Sequence, residues 1–442
     1  MKSYNIHFIH IGHMANKGTQ GLFKSDVNIV KEILGDDVSI SVSTTDISGV
    51  KNLDLPLCEV LPSIIDIPYE KADEVAKRQS FTRDTFRYKF FSGYFFILMF
   101  FQAIFSILSA IIIKIGGRGM YRHDVLNRIY QSDLVISGSD EIYKETASLL
   151  SFNFIWMITW WTLLFSKTWD VLISKFFGKP VIMFPNSVGP FRTTIGKFMA
   201  KTALNKYDYV FIREKISYDI VDSLDIKGIK ILTSDTALLL PPKTSENYSV
   251  AGQNIGVCPG VYAGGMEANK LDEYILSHAK SLDNLIKNYD VNVHFIPHYI
   301  RGFSNDDLDT SKKIIDAMKY KDKIHLTIID NVDDFKNFLN KMDVVISSKM
   351  HPAVFAVSEF TPTLCIAYDH KQVGFFEVLD MSECLISIQE ISYLEFWNKL
   401  EYVWENRDLI RKKLSEIIPN MKKNQKMKVE KVLVEYFPFH EK

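Results

Sequence analysis

The stretch DVVISSKMHPAVFAVSEF, residues 343–360, runs apolar for the length of a strand. It then places two hydroxyls, an ammonium and an imidazole within five positions, and turns apolar again. DVVISS reads as a strand buried on both faces, and HPAVFAVSEF as a helix with Pro352 suited to its first position. Polar residues between the C-terminal end of such a strand and a helix mark where an α/β sheet places its ligand sites. Free backbone N–H groups and the helix dipole favour an anion there. Lys349 and His351 fall on this turn. A serine-rich helix cap beside a solvated lysine would use the same letters, so the rest of the chain has to decide.

The same rhythm extends in both directions. NIGVCPG, NVHFIPHY, IHLTII and PTLCIAY are further short apolar runs, separated by helical stretches such as LDEYILSHAKSLDNLIKN and VDDFKNFLNKM. This alternation predicts a parallel sheet covered by helices on both faces. Toward the N-terminus, YNIHFIHI (4–11), VSISVS (38–43), DLVISGS (133–139), PVIMFPNS (180–187), YVFIRE (209–214) and KILTSD (230–235) predict another. GLFKSDVNIVKEILG (21–35) puts its apolar residues on one helical face and closes on Gly35. The polar, proline-containing PPKTSENYSVAGQ reads as a linker. The expected organisation is an N-terminal Rossmann-like domain over 1–240, a linker over 241–253 and a C-terminal Rossmann-like domain over 254–395. A charged amphipathic packing element follows over 396–442. Two such α/β domains around a cleft resemble the glycosyltransferase-B arrangement.

Bulk properties narrow the function. The chain has 442 residues, with 52 basic and 53 acidic side chains, so no global charge favours nucleic acid as a partner. Its four cysteines are far apart and show no metal-ligand spacing, which predicts reduced core thiols. The opening residues lack a secretory cleavage pattern, so a cytoplasmic protein is expected.

Two segments stand out, 90–113 and 146–166, each free of charge and long enough to span a membrane. Strands of one sheet are expected on both sides of the first, so a single crossing is excluded. The segments can pack on the protein as a helical pair, lie in a membrane interface or form a re-entrant hairpin. Lys77, Arg78, Arg83, Arg87 and Lys89 before the first segment, and Lys114, Arg118 and Arg122 after it, fit attraction to anionic headgroups. Richness in Phe and Trp favours peripheral attachment to the inner face of the cell membrane.

Seven motifs in order resemble the polysaccharide pyruvyl transferase family: NKGTQG (16–21), SGSDEIY (137–143), NSVGPF (186–191), IREKISYDIV (212–221), SDTALLL (234–240), ISSKMH (346–351) and the segment around AYDHK (367–371). The resemblance implies transfer of pyruvate from phosphoenolpyruvate to a sugar of a cell-envelope polysaccharide or its precursor, giving a ketal and phosphate. It implies no cofactor beyond that co-substrate and no metal. His351 is expected as general acid, with Lys349 holding an anionic group of the donor. Ser347, Ser348, His298, Arg301 and Lys371 are expected on the donor side. Asn16, Gly18, Gly138, Asp140, Glu141, Asn186 and Arg213 are expected on the acceptor side, where the sugar could be lipid-linked; Arg213 could equally brace the cleft or form a structural ion pair. Lys349 stands where the family usually has arginine, whose planar fork grips a carboxylate better.

His294 and His298 are expected to share one strand face, His298 lining the cleft. Asp235 could cap the following helix. A nucleotide-sugar glycosyltransferase, with Glu377 binding ribose, would share this fold. So would a catalytically silent envelope protein that binds glycan.

Overall fold

A computed structural model describes residues 4–35, 37–66, 86–138, 140–145, 154–242, 250–260, 268–300 and 306–437. Arg301, Ser139 and residues 146–153 lie outside them. Two parallel sheets, each between helices, form a glycosyltransferase-B-like pair of α/β domains.

The N-terminal sheet contains β1 (Tyr4–Ile11), β2 (Val38–Thr44), β3 (Glu59–Pro62), β4 (Leu134–Ser137), β5 (Glu141–Tyr143), β6 (Val181–Val188), β7 (Tyr209–Ile212) and β8 (Ile229–Leu232). Its order is β3-β2-β1-β4-β6-β7-β8, with β5 paired to the end of β6. The second sheet contains β9 (Asn254–Cys258), β10 (Asn292–Phe295), β11 (Ile324–Leu326), β12 (Val344–Ser347), β13 (Thr363–Ala367) and β14 (Leu385–Ser387), ordered β11-β10-β9-β12-β13-β14. In each sheet the winding reverses next to its first strand, between β1 and β4 and between β9 and β12. Crevices at such reversals, beyond the carboxyl ends of the strands, are where open α/β sheets bind ligands. The sequence pattern does not predict β3, β5 or β14. Each is three or four residues long; β3 has Pro56 shortly before it and ends on Pro62, and β5 opens on Glu141, so neither presents an uninterrupted apolar run.

The first helix, α1, spans Lys17–Leu34, so it begins within NKGTQG, four residues before the stretch 21–35 whose apolar face predicts it. Asn16 caps it, its side chain accepting from the Gly18 N–H at 2.9 Å. Two glycines in the first turns conceal the helix from a propensity reading, and packing explains them. A Cβ on Gly21 would lie 2.5 Å from the Phe355 ring of the other domain.

α2 (Ile47–Lys51) follows β2. α3 (Phe86–Lys114) contains the apolar segment 90–113, and α4 (His123–Gln131) leads into β4. The second apolar segment becomes α5 (Phe154–Phe176), displaced toward the C-terminus and carrying Lys167, Asp170 and Lys175. Among the described residues only α3, over Gly93–Lys114, is long and apolar enough to cross a membrane. Next come α6 (Thr194–Leu204) and α7 (Lys215–Ser223), then in the second domain α8 (Ala268–Tyr289), α9 (Asp307–Ala317), α10 (Val332–Leu339), α11 (Met350–Ser358), α12 (His370–Val378) and α13 (Tyr393–Glu405).

The final helix, α14 (Arg407–Tyr436), joins the two domains. Its first half buries Ile410, Leu414 and Ile418 in the second domain's core. Its second half sends Val429, Val432 and Leu433 into the N-terminal core beside β1 and β2, where Phe437 joins them. Between these halves Gln425 donates to the Ser234 carbonyl at 2.8 Å. Leu433→Ala is therefore expected to destabilise the N-terminal domain by about 2–5 kcal/mol in denaturant unfolding.

Candidate active site

Residues just beyond the strand ends line the cleft. Arg213, one position past β7, is fully buried and uses its whole fork. Nε donates to Ser187 Oγ at 2.8 Å, Nη1 to Asp235 Oδ2 at 2.7 Å and Nη2 to Asp140 Oδ1 at 2.5 Å. Burial alone would lower its pKa, but Asp235 and Asp140 override this and raise it. Asp235 also caps a short 3₁₀ turn by accepting from the Ala237 N–H at 2.8 Å. Arg213 was expected on the acceptor side; it acts here as the brace under Asp140.

Asp140 receives a second cation from across the cleft. Lys371 Nζ, in the first turn of α12, lies 3.2 Å from Asp140 Oδ2 and 3.1 Å from Glu141 Oε2. Burial would push the Asp140 carboxyl up, yet Lys371, His351 and Arg213 hold it well below the usual range. Lys371, expected on the donor side, thus bridges to residues expected on the acceptor side. Nearby Lys144 pairs with Glu141. Lys167 of α5 donates to the Glu141 and Ile142 carbonyls at 3.3 and 3.0 Å. Asn186 accepts from the Ile142 N–H at 3.0 Å. Gly138 keeps β4's end narrow, since a Cβ there would come 3.0 Å from Asp26 Oδ2.

His351, in the first turn of α11, is buried, its Nε2 lying 3.9 Å from both Asp140 Oδ1 and Asp235 Oδ2. Its ring presses on α1: a Cβ on Gly18 would lie 2.2 Å from His351 Nδ1. Burial lowers the imidazole pKa, opposed in part by the two carboxylates. His298 stacks near it, with ring centroids 6.5 Å apart, and desolvation with nearby cations lowers its pKa well below the usual value. Among the described residues, His351 Nε2 and both His298 ring nitrogens have no hydrogen-bond partner, although all three atoms are buried. His294 does not share this face. Its Nε2 meets Asn254 Oδ1 at 3.0 Å and its ring stacks on His325, because the strand ends at Phe295 and the chain turns before His298. No cluster of metal-ligating side chains occurs among the described residues.

Lys349 stands at the residue preceding α11, makes no side-chain cap bond, and reaches over Gly260, where a Cβ would lie 2.1 Å from Lys349 Cε. Its Nζ is 3.4 Å from Asp307 Oδ1. Burial opposes the charge, but Asp307 prevails and raises the lysine pKa. Ser347 and Ser348 use their hydroxyls internally. Ser347 Oγ accepts from the Lys349 N–H at 3.1 Å and donates to the Lys349 carbonyl at 2.6 Å. Ser348 Oγ bonds Tyr274 OH at 2.6 Å. Both serines shape the turn that presents Lys349 and His351.

Sequence pattern does not single out four contributors: Lys17, Tyr274, Asp307 and His370. Lys17 is buried and donates to the His298 carbonyl at 3.0 Å, which ties α1 to the second domain. His370 Nε2 reaches Ser217 Oγ at 3.3 Å and Glu214 Oε1 at 3.7 Å, a further contact between domains. Lys17 and His370 sit within recognised motifs and could have been found there; Tyr274 and Asp307 have no local pattern. Glu377, considered as a ribose ligand, is exposed near the C-terminal end of α12, away from Lys371 at its start.

A family model described as polysaccharide pyruvyl transferase matches residues 38–370. The amylovoran biosynthesis protein AmsJ of Erwinia amylovora is 22% identical over 256 residues, 54% of this chain and 61% of that protein. The chain thus spans about three fifths of the length of this curated relative. Among solved structures, the Neisseria meningitidis UDP-GlcNAc 2-epimerase bound to UDP-GlcNAc has a TM-score of 0.56 at 11% identity, covering 98% of this chain and 99% of that one. The Methanocaldococcus jannaschii UDP-GlcNAc 2-epimerase has a TM-score of 0.52 at 11% identity, covering 90% and 92%. At such identities the likeness concerns the fold alone.

Removing the Arg213 fork would leave the buried Asp235 without its cation and Asp140 with Lys371 alone. Arg213→Ala is expected to lower stability by about 3–5 kcal/mol, read from denaturant midpoints. Arg213→Lys is expected to recover only part of this, since an ammonium cannot reproduce the planar three-way geometry.

Proposed function

This chain belongs to the polysaccharide pyruvyl transferase family, and from that premise we propose that it transfers pyruvate from phosphoenolpyruvate to two hydroxyls of one sugar in a cell-envelope polysaccharide or its precursor. The observation that carries the reading is the set of buried, unpartnered imidazole nitrogens of His351 and His298 beside the charged Lys349. A phosphorylated enol acid offers what they lack: acceptor oxygens for N–H groups, and negative charge that makes protonation of a buried imidazole favourable.

In the proposed reaction the methylene carbon of the donor gains a proton from His351, and a sugar hydroxyl adds to the carbon bearing the phosphate and carboxylate. Phosphate leaves from that carbon, and the second hydroxyl closes the ketal. Of the two hydroxyl protons released, one balances the new methyl group and the other leaves with phosphate. Lys349 holds a donor anion, with His298 beside it. Asp140, kept ionised by Arg213 and Lys371, is placed to accept a hydroxyl proton near His351. The reaction uses no cofactor beyond the co-substrate and belongs in the cytoplasm. The nucleotide-sugar alternative loses support from the exposed position of Glu377 at the far end of its helix.

Acceptor-dependent phosphate release from phosphoenolpyruvate is the direct test. His351→Ala is expected to reduce kcat by about 10²–10⁴-fold, and Lys349→Ala chiefly to raise KM for the donor. Absence of release with every envelope-type sugar offered, alongside tight binding of a nucleotide-sugar, would replace this reading with glycosyl transfer. The pH behaviour provides a second check. Burial depresses the His351 pKa, so the free imidazole is neutral at pH 7, and a bound anion raises it. Phosphoenolpyruvate binding should therefore take up protons near neutrality, measured by calorimetry in buffers of different ionisation enthalpy, and kcat/KM should fall as pH rises.

A further inference from the structure

α3 is not amphipathic: over Gly93–Ile113 both of its faces are apolar. Phe95, Met99, Ala103, Ala110 and Ile113 point inward and are buried. The outward face carries Tyr94, Ile97, Phe101, Ile104, Leu108 and Ile111 at helical spacing, each between 43% and 57% exposed. A surface helix of a water-soluble domain normally turns charged residues outward, and a contiguous exposed apolar stripe marks an interaction face. The stripe continues into the turn after the helix, where Ile115 is 80% and Met120 76% exposed.

The face is wider than one helix. α5 lies against α3, with Trp169 Nε1 donating to Ser106 Oγ at 2.8 Å and Phe100 packed on Phe165. On its other side α5 meets α6, through Trp161 Nε1 and Thr193 Oγ1 at 3.0 Å. α6 exposes Ile195 and, at 69%, Phe198.

Charge distinguishes among possible occupants. From Phe86 to Arg122, and from Pro190 to Lys206, the chain contains no Asp or Glu, while Lys114, Arg118, Arg192 and Lys197 are exposed. A second copy seated face to face would bring cations against cations. A lipid surface bearing anionic headgroups would satisfy both the apolar stripe and the cations at its margin. The helix does not cross, because β3 before it and β4 after it belong to the same sheet.

We propose that the outward face of α3, with the turn 115–120 and the exposed edge of α6, docks on an anionic lipid bilayer with α3 lying in the headgroup plane. Resting on the pyruvyl transfer reading, the acceptor sugar then reaches the cleft while attached to a lipid. The two sites adjoin. Glu145, just after β5, accepts from the Arg192 and Thr193 N–H groups, each at 2.8 Å, and from Trp161 Nε1 at 3.1 Å. The rim of the docking face is thereby fixed to the strand that carries Glu141.

The test is flotation of the purified full chain with vesicles of equimolar phosphatidylglycerol and phosphatidylcholine, against phosphatidylcholine alone, with neither donor nor acceptor present. Binding should require the anionic lipid. It should weaken about tenfold or more in the pairs Phe101→Glu with Phe105→Glu and Arg118→Glu with Lys197→Glu. All four side chains are exposed, and unchanged thermal unfolding would verify that the variants fold. Failure to float, equal flotation of the variants, or a concentration-dependent dimer abolished by the phenylalanine pair would each overturn the docking proposal. In the second arm, both pairs should keep phosphate release with a water-soluble sugar and lose it with a lipid-linked one in vesicles. Equal turnover of the two acceptors by the variants would overturn the lipid-linked acceptor. Absence of release with every acceptor would overturn pyruvyl transfer while leaving vesicle binding intact.

Discussion

The buried guanidinium of Arg213 is the constraint on which the rest of the cleft depends. Its rigid fork fixes acceptors from three separate segments, after β4, at the end of β6 and after β8, and so sets the position of Asp140. Lys371 then reaches across from the second domain to a carboxylate already in place. His351 occupies the space between Asp140 and Asp235. A buried cation of this kind is tolerated only when all its partners are present. The geometry of one side chain therefore couples integrity of the first domain to assembly of the site between both.

Close approach of the two domains follows the same economy of space. Gly18 and Gly21 let α1 lie directly on His351 and Phe355, and Lys17 closes the contact on the His298 carbonyl. The two cations nearest His351 in the second domain have carboxylate companions within the protein: Lys349 has Asp307, while Lys371 has Asp140 and Glu141. Under the proposed function, an arriving anion competes with these internal partners. Its binding is then an exchange of ion pairs rather than the filling of a bare positive pocket.

Much of the architecture is legible in the sequence because buried parallel strands are written as continuous apolar runs, and polar residues cluster where they end. β1, β2, β6, β7 and β12 stand where apolar runs predict them. The elements and residues that escape such a reading do so for physical causes. β3 has Pro56 shortly before it and ends on Pro62, and β5 opens on Glu141, so neither presents an uninterrupted apolar run. The start of α1 is hidden because its glycines serve an interdomain contact rather than helix propensity. Likewise, Lys349 and His351 are visible at a strand-to-helix turn, whereas Asp307, Tyr274 and His370 act through contacts distant in sequence. Ser347 and Ser348 look like ligand hydroxyls in one dimension; in three they are occupied by the turn itself. Arg213 reads in one dimension as an acceptor contact or a brace of the cleft, and its burial among Asp140, Asp235 and Ser187 favours the brace.

The path of α14 bears on how this protein is made. Val429, Val432, Leu433 and Phe437 complete a core whose other walls, β1, β2 and α1, are synthesised more than three hundred residues earlier. During translation the N-terminal core must wait with the part not covered by α1 exposed until α14 emerges, whereas the second domain can gather most of its core from contiguous chain. Such exposure of apolar surface is the condition under which nascent chains recruit chaperones. Closure of the cleft is thus a late event of synthesis, and a chain cut before α14 would present its first-made sheet unfinished.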